Sequence, residues 1–422
     1  MKLRHGVAAL GLAFALVLPV SSSFGAGTSR TAAAPIKVLL FAGPIANITK
    51  AHLSEFESGT GIKVDLTIVG GEVINTKTST ELLGSGTSYD VISIRGDSMP
   101  FYGTKNVLLD MSGMLSDSKV TPADYEARDI GPLVMDFYKW NNRQIGIPWQ
   151  VASYVLYYRK DLLKAAGLQS PPKTAKEYAD YAKKLNQPPV YGTGLTMQKS
   201  HNLTSEYFQW LTTFGGDVVD EKGQVVLDSP QAREALKYYV GLRADAPPDV
   251  TNWAYERLTT GLAQGQVAMS IQWTDTAAVM VAPGSKVADT MSFTTPPVKE
   301  KPMAVIGGWG LSIPANTAHK ESAFKFIQWA TGPGMARQLA ALGGTPARLS
   351  ILRDAALNKK YSWFTAQAEA LEMAKPRPRT PAWPAIDDAM SSILSQVVTG
   401  TMSVDDGVTN MAKEAKKLVA EQ

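Results

Sequence analysis

The residues able to do chemistry in this chain point to binding more than to catalysis. Beyond the N-terminal segment the histidines are His52, His201 and His319, and none stands in an HExxH or comparable metal spacing. There is no cysteine, which removes thiol nucleophiles and cysteine metal sites. No GxSxG elbow, phosphate-binding GxxxxGKS/T loop or dinucleotide GxGxxG occurs. The carboxylate pairs Asp387–Asp388 and Asp405–Asp406 fall on expected helices, where adjacent side chains diverge. They read as surface or capping groups. What remains are tryptophans, carboxylates and arginines at the ends of apolar runs. Trp309 sits among glycines in "AVIGGWGLSIP", Trp273 closes "VAMSIQW" with Asp275 two residues on, and Arg95 and Asp97 follow "YDVIS". Trp149 ends "QIGIPW" and Glu72 follows "VGG". Such groups suit a ligand with an apolar face and a hydrogen-bonding edge. Each also has a structural reading: core tryptophan, helix cap for Asp275, or a mutual Arg95–Asp97 pair.

The elements that position these residues alternate. "IKVLLF" (36–41), "IKVDLTIV" (62–69) and "YDVISI" (89–94) read as strands, with a helix over "ITKAHLSEFESGTG" between the first two. Strands separated by helices favour a parallel α/β sheet. "SYVLYYR" (153–159) and "GQVAMSIQW" (265–273) are further strands. A helix runs from Asp161 to a stop at Gly167. Thr174 and Glu177 form a capping box ahead of Tyr178, Tyr181, Ala182 and Leu185. Ser229 and Pro230 start another helix. The helix of "HKESAFKFIQWATG" buries Ala323, Phe326, Ile327 and Ala330. A last one begins near Ser403 with Val408, Met411, Ala412, Ala415, Leu418 and Val419 inward.

The chain has 422 residues, 45% apolar and 19% charged, enough for two or three domains with sizeable cores. At the N-terminus Lys2, Arg4 and His5 precede the apolar run 6–20 and the small, polar "SSSFGAGTS". This is the order of a secretory signal peptide, expected over residues 1–26. Of the formal charge of +4, Lys2 and Arg4 lie in that segment, leaving about +2, too little for a nucleic-acid surface. The expectation is an exported, periplasmic protein, stabilised by its core without disulfides and carrying no cysteine for a lipid anchor.

Several segments in one order resemble the extracellular solute-binding proteins of ABC importers, in the sugar-binding group that includes maltose-binding protein. They are "FESGTGIKV" (56–64), "YDVI" (89–92), "GIPW…VLYYRKDLLKAAGL…PPKT" (146–174), "FGGDVVDEKGQVVLDSPQAREAL" (214–236) and "GQVAMSIQW" (265–273). "GGWGLSIPANTAHKESAFKFIQWAT" (307–331), "GGTPAR" (343–348) and "VVTGTMSVDDGV" (397–408) complete the set. The resemblance implies an α/β fold of two lobes with a ligand cleft between them and hinge closure on binding. Lobe 1 is placed at 35–148 plus 302–348, and lobe 2 at 149–298 plus 352–422.

The resemblance further implies a sugar or polyol ligand, delivered to membrane permease subunits, with no cofactor and no catalysis, by a protein expected to be a monomer. A binder of a sugar acid or polyol phosphate is the alternative within the class, with Arg95 and Arg348 as anion partners. A secreted carbohydrate-active enzyme is the alternative outside it. An aromatic plate suits the C–H face of a pyranose, so Trp309 and Trp273 are expected as stacking groups, with the glycines around Trp309 as clearance for the ligand. Arg348 in "GGTPAR" and Trp383 in "TPAWPAI" join the candidates because the family brings those segments to the cleft. "QVASY" stands where some relatives offer a carboxylate, so maltose-type contacts do not transfer.

Overall fold

The computed structural model describes residues 34–84 and 86–422, with the backbone but not the side chains of residues 71 and 72. The signal-peptide expectation, at 1–26, therefore lies outside the described residues. The strands are β1 (Ile36–Phe41), β2 (Val64–Val69), β3 (Val91–Arg95), β4 (Lys139–Trp140), β5 (Arg143–Gln144) and β6 (Ile147–Arg159). They continue with β7 (Tyr191–Gly194), β8 (Val267–Trp273), β9 (Met291–Thr294), β10 (Ala304–Ser312) and β11 (Ala374–Lys375). Nine of them form one sheet along the path β2-β1-β3-β10-β6-β8-β7, with β9 on β6 and β11 on β10; β4 and β5 make a separate hairpin.

The parallel expectation holds at the two ends of the sheet, for β2-β1-β3 and β8-β7. It fails in the middle, where β10 runs antiparallel to β3 and β6, and β6 antiparallel to β8. The cause is the length of β6. Its first part, 147–153, pairs with β10, and its second, 154–159, pairs with β8 and β9. One strand therefore ties two sets of neighbours together. Its run "IPWQVASYVLYYR" is buried almost throughout, as a strand covered on both faces must be. Helices Lys320–Thr331 and Trp363–Glu372 pack on β6, and helix His201–Thr213 packs on β10.

Local signals act as their chemistry dictates. Thr174 accepts a hydrogen bond from the Glu177 backbone N–H, and the Glu177 side chain returns to the Thr174 N–H, closing the capping box. Ser229 caps the helix that Pro230 opens, and Ser403 caps helix Val404–Ala420 through the N–H of Asp406. The stretch expected as one helix is two, Pro44–Ala51 and Leu53–Thr60, the second stopped by Gly61 at φ 73°. Ala323, Phe326, Ile327 and Ala330 are buried as their spacing requires. Leu418 and Val419 stay half-buried, because the last turn of its helix reaches past the core.

Candidate functional site

Cross-strand register builds the floor of the site. Trp309 of β10 stands opposite Arg95 of β3 on one side and Gln150 of β6 on the other. Directly opposed residues present their side chains on one face of a sheet. This row of guanidinium, indole and amide lies along a cavity of about 470 Å³. Gln150 and Ala152 of β6 line it, and Tyr154, next in the same alternation, stacks on Trp273 at 4.0 Å between ring centroids. Phe41 at the end of β1 lies flat against Trp309, centroids 4.1 Å apart and planes 8° apart. Asn75, His201, Asn202, Tyr255, Glu256, Asp275 and Arg377 add further polar lining.

Gly307 and Gly308 line the cavity beside Trp309, and the glycines here also have a role beyond the expected ligand clearance. A Cβ on Gly307 would stand 2.6 Å from Nη2 of Arg377, and one on Gly308 would stand 2.1 Å from the Gln150 carbonyl oxygen. Gly308 also holds φ at 136°, a left-handed value that favours glycine, next to the register shift between Trp309 and Gly310. A Cβ on Gly310 would meet the Tyr138 ring at 2.4 Å. The small residues let β10 approach the protein's own groups. Trp309 itself, half-buried, presents its ring to the cavity.

Trp273 lines the cavity too, but as wall more than open plate. It is 6% exposed, with Tyr154 stacked on it, the Arg377 guanidinium 5.4 Å from its centroid, and Nε1 donating to Asn202 Oδ1 at 3.2 Å. Asp275 accepts from the Tyr255 hydroxyl at 2.8 Å and from Gln150 Nε2 at 3.2 Å. Burial pushes its pKa up to about 6 against those hydrogen bonds.

The other wall is a dense ionic network. Arg95 forks onto Asp97 through Nε at 2.9 Å and Nη2 at 2.6 Å. Arg377 Nε approaches the same carboxylate at 3.2 Å, and Trp383 Nε1 donates to it at 3.4 Å. Burial alone would raise Asp97, but Arg377 and Arg95 together hold it well below the usual carboxylate range. Asp387 sits 3.7 Å from Arg95 and hydrogen-bonds His201 Nδ1. His201 Nε2 faces Arg377 Nη1 at 2.6 Å, so a neutral ring donating from Nδ1 and accepting at Nε2 satisfies both neighbours. Burial, then Arg95, lowers the pKa of His201, with Asp387 opposing.

Of the residues singled out from sequence, Trp309, Trp273, Asp275 and Arg95 line the cavity. Asp97 stands behind it, its side chain fully buried between the two arginines. The side chain of Glu72, in helix Gly71–Leu83, lies outside the described residues. Trp149 points to the opposite face of β6, because the pleat gives the cavity Gln150 and Ala152; it is 2% exposed. Trp383 is buried in the first turn of helix Trp383–Thr399, acting on the site only through Asp97. Arg348 is apart from the cavity: Nε donates to the Thr331 carbonyl, and Nη1 and Nη2 donate to those of Glu126 and Tyr125. It ties loops together with three of its five N–H donors and, buried away from the cavity, does not reach a ligand there. Asp387, expected at the surface, is buried by its contact with His201. Arg377, in "AKPRPRTP", was hidden from sequence reasoning by its proline-rich setting. Phe41 ends β1 and Tyr255 starts a helix, a signal that could have found them, whereas Gln150, inside β6, shows itself only in the register.

The chain belongs to the bacterial extracellular solute-binding protein family, whose model matches residues 42–337. It is 25% identical over 394 residues to the mannitol-binding protein of Pseudomonas aeruginosa, covering 86% of this chain and 88% of that one. The ribitol-bound ABC transporter solute-binding protein of Agrobacterium radiobacter K84 superposes with a TM-score of 0.84 at 26% identity, over 91% of this chain and 98% of that one. Maltose-bound T. maritima MalE3 shares the fold, with a TM-score of 0.82 at 24% identity over 92% of this chain and all of that one. The fold is the two-lobe α/β fold of periplasmic binding proteins. Among the described residues no helix is long and apolar enough to cross a membrane, and no group of three or more metal-ligating side chains gathers.

Proposed function

We propose that the protein captures a small sugar or polyol and delivers it to the permease of an ABC importer. The observation that carries this reading is the Arg95–Trp309–Gln150 row, flanked by Asp275 and Trp273, in a cavity of about 470 Å³. An indole beside a carboxylate, an amide and a guanidinium offers apolar contact for C–H faces and paired acceptors and donors for hydroxyls. The mannitol- and ribitol-binding relatives support a polyhydroxylated ligand. An anionic ligand is less suited, because Arg95 and Arg377 already face Asp97.

Closure of lobe 1 (35–148 plus 302–348) on lobe 2 (149–298 plus 352–422) would bury the ligand and present a shape the permease recognises. The change of partner along β6, between Ser153 and Tyr154, supports a crossing near that boundary. We assign no catalytic step, and we read the mature protein as a freely diffusing periplasmic monomer. A thermal-shift screen of mannitol, ribitol, maltose and related sugars, with product analysis on each hit, tests the reading. A stabilising ligand recovered unchanged is expected. Turnover of a hit, or no stabilisation by any sugar or polyol, would sink it.

A further inference from the structure

Charge is balanced along one side of the cavity and not along the other. Arg95 and Arg377 face the ligand space, and Asp97 backs both, at 2.6 Å and 3.2 Å. Asp387 adds a second carboxylate 3.7 Å from Arg95. Beyond Trp309 and Gln150 from Arg95, Asp275 lines the cavity with neutral partners among the described residues: the Tyr255 hydroxyl, the Gln150 amide and the backbone N–H groups of Asp275 and Thr276. Glu256 lines the same side from an exposed position, and among the described residues it has no cation within the 4.0 Å of an ion pair.

Gln150 adds an independent observation. Its Nε2 donates to Asp275, while its Oε1 is buried and has no hydrogen-bond donor. Turning the amide over would set Oε1 against the Asp275 carboxylate, so the orientation follows from the chemistry. A buried carbonyl oxygen without a donor is costly, and native structures satisfy nearly all such groups. This corner thus offers an unmatched amide oxygen and a carboxylate with lone pairs left over, with a second carboxylate on the same side. Among the described residues it has no cation paired with the carboxylate and no donor on the amide oxygen.

We infer that the ligand carries a protonated amine beside its hydroxyls: the cavity takes an amino sugar or amino polyol, its ammonium seated at the Asp275–Gln150 corner. The inference rests on the sugar-or-polyol reading above and narrows it. An ammonium brings three N–H donors and a charge, whereas a hydroxyl at the same place brings one donor and no charge. Arg95 and Arg377 do not repel it strongly, because their charge is met by Asp97 and Asp387. Trp309 stays available for the C–H face of the same ligand.

The test is calorimetric titration at about pH 7 of matched pairs: glucosamine against glucose, and the amino analogue of sorbitol against sorbitol, with N-acetylglucosamine as the charge-free control. The amine should bind at least about tenfold more tightly than its hydroxyl parent, as charge-assisted hydrogen bonds allow. N-acetylation should remove the gain. Asp275→Asn should bring amine and parent to similar affinity, and Glu256→Gln, at an exposed position that leaves the fold intact, should narrow the gap by about threefold. Amines binding no better than their parents would overturn the inference while leaving the sugar-or-polyol reading standing. So would an advantage that survives both substitutions. Failure of every sugar, polyol and amine to bind would overturn both.

Discussion

The Arg95–Arg377 wall and the Asp275 corner line one cavity, yet they hold charge in opposite ways. On the wall each guanidinium is met by a carboxylate, and the pKa of Asp97 is driven down. In the corner a carboxylate meets only neutral donors, and its pKa is driven up to about 6. The difference teaches that charged residues in a binding cavity serve two ends. Those already paired hold the architecture, and those left unpaired are available to a ligand.

Breaking the wall should have the largest effect. Asp97→Ala leaves two buried guanidiniums without their shared carboxylate and should cost about 3–5 kcal/mol in urea unfolding. A loss below about 1 kcal/mol would mean the wall is not structural. Next comes the floor the two sides share. Trp309→Ala should weaken ligand binding by about ten- to a hundredfold, from the loss of about 1.5–3 kcal/mol of apolar contact. Trp149→Phe, one pleat out of phase, should leave affinity within about twofold, and calorimetry separates the two.

The smallest effect sharpens the contrast in pH. Asp275, raised by burial, binds a proton in the native state at a pH where the unfolded chain, near its ordinary value of 3.8, does not. Its contribution to stability is therefore most favourable at low pH and falls as pH rises through about 6. Asp97, with its lowered pKa, does the reverse: its contribution is present above the unfolded value and is lost only in acid. Glu206, buried in helix His201–Thr213 and raised to about 7, follows Asp275, whereas His201, lowered by burial, opposes it. The measurement is thus a difference. Against Asp275→Asn, the ligand-free wild type should lose about 1.4 kcal/mol between about pH 5 and pH 8 in thermal unfolding. A parallel pair of curves would refute the assignment.

Much of the fold was legible because strands, caps and stops are local events. "IKVLLF", the Thr174–Glu177 box and the Ser229–Pro230 start each carry their own physics within a few residues. The two-lobe arrangement came from segments in a fixed order, and no single segment implies it. The cavity lining was legible where a strand end marks it, as at Trp309, Trp273, Asp275 and Arg95. It was illegible where the outcome depends on pleat phase or on distant partners. Trp149 and Gln150 are neighbours, and only the register of β6 against β10 decides which one meets the cavity. Arg348 looks like an anion partner until three backbone carbonyls, from Tyr125, Glu126 and Thr331, claim its donors. The glycines beside Trp309 advertise space that Arg377 and the Gln150 carbonyl already use.

The 13-residue strand β6 carries Gln150 on the stretch that pairs with β10 and Tyr154 on the stretch that pairs with β8. Side chains at the candidate site and the backbone that joins the two sets of strands therefore belong to the same piece of chain. Such a strand behaves as a torsion spring with its own gripping pads. Under the proposed lobe closure, a twist of this strand would re-aim Gln150 and the Tyr154–Trp273 stack together, so grip and elastic stiffness would be tuned by the same few residues.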